Sequence, residues 1–348
     1  MRAAILYGKQ DVRIEDVPPP ALRPGEVRVR IEVALTCGTD LKVFKRGYHA
    51  KMIVPPAVFG HELAGVISEV SGAKCQVSGS EWRAGDRVVV ANSAPCGRCF
   101  HCRHQQENLC DDLLFLNGAY AESIVVPARI VQKNMLRLKA DTAFADAALA
   151  EPLACVVQGI EDTKLQARQR VLVLGAGPIG LMFVALAKRL GCEVTVAGRR
   201  AARLEAARRL GADHIIDVGD GHNLVTKVRE ASRAHFDGVI EAVGMPEAWE
   251  ASVRLVRKGG TVNFFGGCPA DTTITLDATL IHYSNLTLMA SFHHTPRTVR
   301  RALAFIEAGV IRAADFVDGE RPLSQLPQLF QSMCTGNRVV KTLINVHR

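Results

Sequence analysis

Between residues 170 and 290 the chain alternates buried apolar runs with amphipathic ones, and that alternation leaves few folds open. RVLVLGAG (170–177) reads as a buried strand running into a glycine turn. PIGLMFVALAKRLG follows as a helix, with Pro178 in its first turn and Gly191 closing it. EVTVAG reads as a strand, AARLEAARRLG as a helix and HIID as a strand. A helix over 223–231, the strand DGVIEAVG, a helix over 246–257 and the strand TVNFFGG continue the pattern, with NLTLMAS as a sixth candidate strand. Such repeats predict an α/β fold built on a parallel, doubly wound sheet.

The flanks differ. RPGEVRVRIEVALTCG, HELAGVISEV and AGDRVVVAN are short β-rich runs separated by Gly and Pro, and they predict an irregular β-barrel-like domain. After the sheet, TPRTVRRALAFIEAG is a helix that Thr295 caps, Pro296 opens and Gly309 ends. The closing VVKTLINV has no place in a six-stranded sheet and is expected back in the first domain. A length of 348 residues fits two domains.

Hydrophobic content of 48% and charged content of 22% are ordinary for a globular protein. No apolar run approaches the roughly 18 residues of a membrane span. The start, MRAAILYGKQDVRIEDVPPP, turns polar too soon for a secretory signal. A cytoplasmic chain with reduced thiols is expected. The net charge of +8 comes from scattered residues, and aromatics are only 5%, so a solvated basic surface is expected rather than a nucleic-acid site.

Gly175, Gly177 and Gly180 make G-x-G-x-x-G directly after a buried strand and at the opening of a helix. In that context the glycines allow a tight turn and let backbone approach a pyrophosphate, which the N–H groups at the helix start can bind. The cofactor cradle therefore comprises Gly175, Gly177, Pro178, Ile179 and Gly180. An NAD site usually ends its second strand on an acid that grips the ribose 2′-hydroxyl. This chain has Gly198-Arg199-Arg200 there, with Arg203 beyond. Glycine makes room, and guanidinium groups can pair with a 2′-phosphate at about 1.5–3 kcal/mol per charge-assisted hydrogen bond. NADP is expected over NAD, the alternative being a solvated helix start. Val243 and Gly244, with Phe265, Gly266 and Gly267, end strands at the carboxyl edge, where ligands of open α/β sheets bind.

Cys96, Cys99, Cys102 and Cys110 are spaced C-x2-C-x2-C-x7-C. Four thiolates can close a tetrahedral zinc shell, which leaves no position for substrate and makes the ion structural. A ferredoxin cluster would need its next cysteine after three residues and before proline, and disulfides do not suit a reducing compartment. Cys37 in TCGTD, His61 and Glu62 in FGHELAG, and Glu151 in LAEPLAC form a second, mixed set, suited to zinc with an exchangeable position. Spacing alone does not bring these four together.

CGTD, GHELAG, the four-cysteine lobe, AEPLAC, GAGPIG and VVKTLINV, in that order, cover essentially the whole chain. Together they resemble the zinc-dependent medium-chain dehydrogenases/reductases, especially the sorbitol, threonine and bacterial secondary-alcohol dehydrogenases. The resemblance implies a GroES-like catalytic domain over 1–155 and 291–348, with a zinc lobe at 95–111, around a Rossmann domain at 156–290. It implies a catalytic zinc held by Cys37 and His61, with Glu151 as third ligand or near-ligand and Glu62 able to enter or leave the shell. It implies a second, structural zinc in the lobe. The implied activity is hydride transfer between NADP(H) and a polyol, sugar alcohol, cyclitol or other secondary alcohol, with Thr39 passing the proton. An NAD-linked threonine or diol dehydrogenase is the alternative, and a non-catalytic zinc protein a remote one. Lys341, in the closing strand, is assigned to the cofactor, and Cys155 to packing.

Many relatives follow CGTD or CGSD with a His two positions on, and this chain has Lys42 there. Lys42 is left between cofactor phosphate, substrate and solvent, with His49 as an alternative relay. His293 and His294 are left between binding hydroxyls and capping the following helix. A homodimer or homotetramer is expected.

Overall fold

The computed structural model describes residues 1–49, 52–71, 75–77, 80–219, 223–232, 235–336 and 340–348; Val339, the first residue of VVKTLINV, lies outside them. The chain divides into two compact units, Met1–Ala154 with His294–Arg348, and Cys155–His293.

The second unit is a six-stranded parallel sheet. Its spatial order is His214–Asp217, Glu193–Gly198, Arg170–Leu174, Phe236–Glu241, Val256–Phe264 and Thr287–Ala290. Val171, Leu172 and Val173 are all fully buried, as expected of a strand covered on both faces. The order reverses between Arg170–Leu174 and Phe236–Glu241, which makes their carboxyl ends the switch point of the fold. Phe236, Val239, Val262 and Val228 build the core on one face, each large apolar side chain contributing roughly 1.5–3 kcal/mol by burial. The helix over 246–257 stops at Leu255, because Val256 pairs with Phe236 and begins the fifth strand.

In the first unit, Val27–Leu35 is the central strand. It pairs with Glu62–Val70, Ser123–Val126 and, through Leu35 and Ala34, with the final strand Lys341–Asn345. Val27, Val29 and Ile31 alternate inward, with no exposed surface. The strand that had no place in the parallel sheet thus lies here, against Val27–Leu35 and Val317–Pro322. Leu35 is opposite both Glu62 and Leu343. The end of Val27–Leu35, the start of Glu62–Val70 and the middle of Lys341–Asn345 therefore meet just before Cys37, which caps the helix Gly38–Arg46. Thr295 and Thr298 form a reciprocal capping box at the start of the helix Pro296–Glu307.

Candidate functional site

Cys37, His61 and Glu62 each offer a donor atom within 4.8 Å of the others. Local backbone explains the placement. Cys37 is extended at the helix N-cap, and its sulfur accepts the Thr39 N–H at 3.4 Å. His61 and Glu62 follow Gly60, whose φ of +89° turns the chain into the strand Glu62–Val70.

Two buried arms hold the donors. Asp40, in the first turn after Cys37, accepts from His61 Nδ1 at 2.8 Å. A proton fixed on Nδ1 leaves Nε2 as the ligating atom of the neutral ring. Burial opposes charge on His61, but the Asp40 carboxylate and Cys37 carry its pKa well above the usual value. The Tyr120 hydroxyl donates to the other Asp40 oxygen at 2.6 Å. On the other side, Lys341 Nζ lies 2.6 and 2.5 Å from the two Glu62 oxygens and donates to the Thr36 carbonyl at 3.0 Å. Burial works against charge on Lys341, and Glu62, joined by Cys37 and Glu151, more than offsets it, so the lysine stays protonated.

That pairing revises the expectation for Lys341. Its ammonium is 2% exposed and hydrogen-bonded to Glu62 and Thr36, with the Glu62 carboxylate as its ion-pair partner. The resemblance implies Glu151 as a third ligand or near-ligand, and the charges of His61 and Glu62 act on its carboxyl. It lies outside the mutually close set of Cys37, His61 and Glu62, with His294 Nε2 at 3.8 Å. Burial pushes its carboxyl up to about 7, against the pull of His61. His294 is buried, with its Nε2 3.1 Å from Asn92 Oδ1. Thr39 is half-buried beside Cys37, and Lys42 is exposed one helical turn further on. His49 accepts the Met52 N–H on Nδ1.

The four lobe cysteines form a second set of mutually close donors. Cys96 and Cys102 sulfurs are 4.0 Å apart and those of Cys99 and Cys110 3.9 Å. These spacings are too long for disulfides and near the roughly 3.8 Å edge of a zinc tetrahedron with Zn–S of about 2.3 Å. Backbone N–H groups point at the sulfurs, from Gly97 to Cys102 and from Arg98 and Cys99 to Cys96. Those of Arg98 and Cys99 lower the Cys96 pKa to about 6, whereas burial raises Cys102 to about 12. Thiolates this close repel one another, and a divalent cation at their centre offsets the repulsion. Both donor sets fit zinc.

In the second unit each fingerprint glycine has its own reason. Gly175 has φ +108°. A Cβ on Gly180 would stand 1.8 Å from the Gly175 carbonyl oxygen. A Cβ on Gly177 would meet no heavy atom within 4 Å among the described residues. Gly177 is the N-cap of the helix Pro178–Arg189, so open space lies over free helix N–H groups, the shape a pyrophosphate needs. Arg199 and Arg200 are exposed at the end of the second strand.

Two cofactor assignments read differently in three dimensions. Gly198 leaves room for Ala176 rather than for a ligand, since a Cβ there would be 2.7 Å from Ala176 Cβ. Phe265 packs edge-to-face on Phe183, with ring centroids 4.9 Å apart, because Gly159 leaves a slot for both rings. Val243 is exposed, and Gly244 and Gly266 are in close backbone contact. Glu241, which the sequence did not single out, ties this loop. Its carboxylate accepts the Val243 and Gly244 N–H groups at 2.8 and 2.9 Å. Asp40 and Tyr120 were missed as well. The D of CGTD was a signal for the first; for the second, only its contact across the fold identifies it.

An alcohol dehydrogenase GroES-like domain model matches residues 23–135, and a zinc-binding dehydrogenase model matches residues 178–308. The chain is 34% identical to D-altritol 5-dehydrogenase of Agrobacterium fabrum over 95% of both chains. It is 28% identical to sorbitol dehydrogenase of Bacillus subtilis, over 100% of this chain and 98% of that one. Among solved structures it resembles an alcohol dehydrogenase of Thermus sp. ATN1, with TM-score 0.85, 28% identity and 99% of each chain covered. It also resembles a chain described as a zinc-binding dehydrogenase of Sinorhizobium meliloti 1021, solved bound to NADP. That match has TM-score 0.87 and 26% identity, and covers 99% of this chain and 98% of that one.

Proposed function

This chain belongs to the zinc-dependent alcohol and polyol dehydrogenase family, and from that premise we propose that it is an NADP(H)-preferring dehydrogenase of a polyol, sugar alcohol, cyclitol or related secondary alcohol. The observation that carries the cofactor preference is the end of the second strand. Arg199 and Arg200 stand exposed there, and residues 197–204 hold no carboxylate to grip a ribose 2′-hydroxyl. The relative solved with NADP supports the same choice. The altritol and sorbitol dehydrogenases, similar over nearly the full chain, support a polyhydroxylated substrate.

Cys37, His61 and Glu62 would hold the catalytic zinc, with Glu151 close by, and Cys96, Cys99, Cys102 and Cys110 the structural one. Bound zinc would supply a Lewis acid that makes an alcohol oxygen more acidic, and a bound nicotinamide would supply the hydride acceptor. The remaining steps belong to the chain. Asp40 fixes the His61 ring. Lys341 balances the Glu62 charge. Thr39 Oγ1 receives the hydroxyl proton and passes it toward solvent. Gly175, Gly177 and Gly180 seat the pyrophosphate at the helix N-terminus. Gly244 and Gly266, held by Glu241, together with Gly267, would bound the nicotinamide end. The protein acts in the cytoplasm as a homodimer or homotetramer.

A second reading has one specific support. L-threonine 3-dehydrogenase of Pyrococcus horikoshii is 33% identical over 81% of this chain and 79% of that one. Turnover with NADP⁺ and NAD⁺ across polyols, threonine and short secondary alcohols separates the readings, with Cys37→Ser as control. Polyol oxidation with NADP⁺ preferred is the expected result. Threonine oxidation with NAD⁺ preferred, or activity surviving in Cys37→Ser, would sink the first reading. In Arg199→Ala/Arg200→Ala, KM for NADP⁺ should rise about 100-fold, at about 1.4 kcal/mol per factor of ten, with KM for NAD⁺ little changed.

A further inference from the structure

Tyr120 has no exposed surface, and its ring lies among Phe59 and Phe330 with centroids 5.6 and 6.0 Å away. Phenylalanine would fill that pocket without burying a hydroxyl, which is costly unless bonded. The hydroxyl has one hydrogen and two oxygens in reach, Asp40 Oδ2 at 2.6 Å and the Leu35 carbonyl at 3.1 Å. The shorter contact has the length of a charge-assisted bond to a carboxylate. Burial, reinforced by Asp40, holds the phenol far from ionisation, so it remains a donor.

The other Asp40 oxygen accepts from His61 Nδ1 at 2.8 Å. Tyr120 also reaches His61 through the backbone. Its ring lies so close over Gly60 that a Cβ there would be 2.5 Å from a ring carbon, and its N–H donates to the Phe59 carbonyl at 3.0 Å. One side chain thus fixes both the carboxylate that orients His61 and the turn that delivers it.

We propose that Tyr120 is a positioning residue of the metal centre, whose hydroxyl locks Asp40 so that Asp40 holds His61 in its ligating orientation. It touches neither substrate nor reacting atoms. The proposal rests on Cys37, His61 and Glu62 forming a zinc site, and the test distinguishes failure of one from failure of the other.

Zinc per chain is measured during chelator competition for the unsubstituted protein, Tyr120→Phe, Asp40→Asn and the double variant. The cysteine lobe serves as an internal reference. Tyr120→Phe should weaken zinc at the Cys37 site about tenfold, the low end of the roughly 10–100-fold range for outer partners of metal ligands. The lobe should keep its ion. In the Asp40→Asn background the same change should add little, since the two act as one unit. With cobalt(II) in place of zinc, Tyr120→Phe should shift the visible bands of the Cys37 site alone. Unchanged zinc competition in Tyr120→Phe would overturn the proposal. So would equal loss from both sites, which marks a general folding role, or a full effect persisting beside Asp40→Asn. Unsubstituted protein holding zinc only in the lobe would overturn the site reading, and this proposal with it.

Discussion

Gly177→Ala and Gly180→Ala change one methyl each, three residues apart, and the structure assigns them opposite consequences. At Gly177 the backbone has φ −81° and ψ 177°, which alanine adopts freely, and the added Cβ meets nothing within 4 Å among the described residues. Reduced freedom of the unfolded chain should stabilise the apo protein by roughly 0.4–1 kcal/mol. The methyl would occupy the space over the helix N–H groups and displace one charge-assisted hydrogen bond to phosphate, about 1.5–3 kcal/mol. NADP(H) affinity should therefore fall about 10- to 100-fold. At Gly180 the Cβ would stand 1.8 Å from the Gly175 carbonyl oxygen, so backbone must move. Overpacking of this kind costs roughly 1–3 kcal/mol or more, equivalent to melting lower by roughly 3–10 °C. Thermal melts without cofactor and NADPH fluorescence titrations read the two effects separately. Normal NADPH affinity in Gly177→Ala, or native melting with normal affinity in Gly180→Ala, would refute this account of the cradle.

Three further outcomes follow from buried charge, thiols and acids. Lys341→Met leaves Glu62 buried without its partner, so denaturant titration should show a loss of roughly 3–5 kcal/mol. Adding Glu62→Gln should restore part of it, and a strictly additive double variant would contradict the pairing. Cys99→Ser should remove one zinc per chain by metal analysis and expose residues 95–111 to proteolysis, while zinc at Cys37 remains. Burial raises the Asp213 and Asp237 pKa values. The Lys188 ammonium and Val194 N–H for Asp213, and the Arg170 N–H and Arg257 for Asp237, more than reverse this and leave both lowered. Their contribution is complete above the unfolded value of about 4 and is lost as pH falls through the lower folded values. Urea midpoints of Asp213→Asn/Asp237→Asn should lie below those of the unsubstituted protein from pH 7 to about 5, with the gap starting to close below about pH 4 as the folded pKa values are approached; a gap independent of pH would show that the charges contribute nothing.

Much of this protein is written locally. The fingerprint reads from sequence because strand, glycine turn and helix are consecutive. The lobe reads because four thiols within fifteen residues can be brought together by local chain folding alone. The parallel sheet reads from apolar runs buried on both faces. Long-range pairing decided the rest. Lys341 and Glu62 are 279 residues apart, Tyr120 and Asp40 are 80, and no periodicity announces either pair. Gly198 and Phe265 have the right positions for ligand contact, but only tertiary packing shows that Ala176 and Phe183 already fill the space beside them. Sequence therefore determined which chemical groups the chain carries and which short segments hold them. Only the folded structure decided which buried charge neutralises which, because desolvation penalises every unpaired ion and the partner that removes the penalty can lie anywhere along the chain.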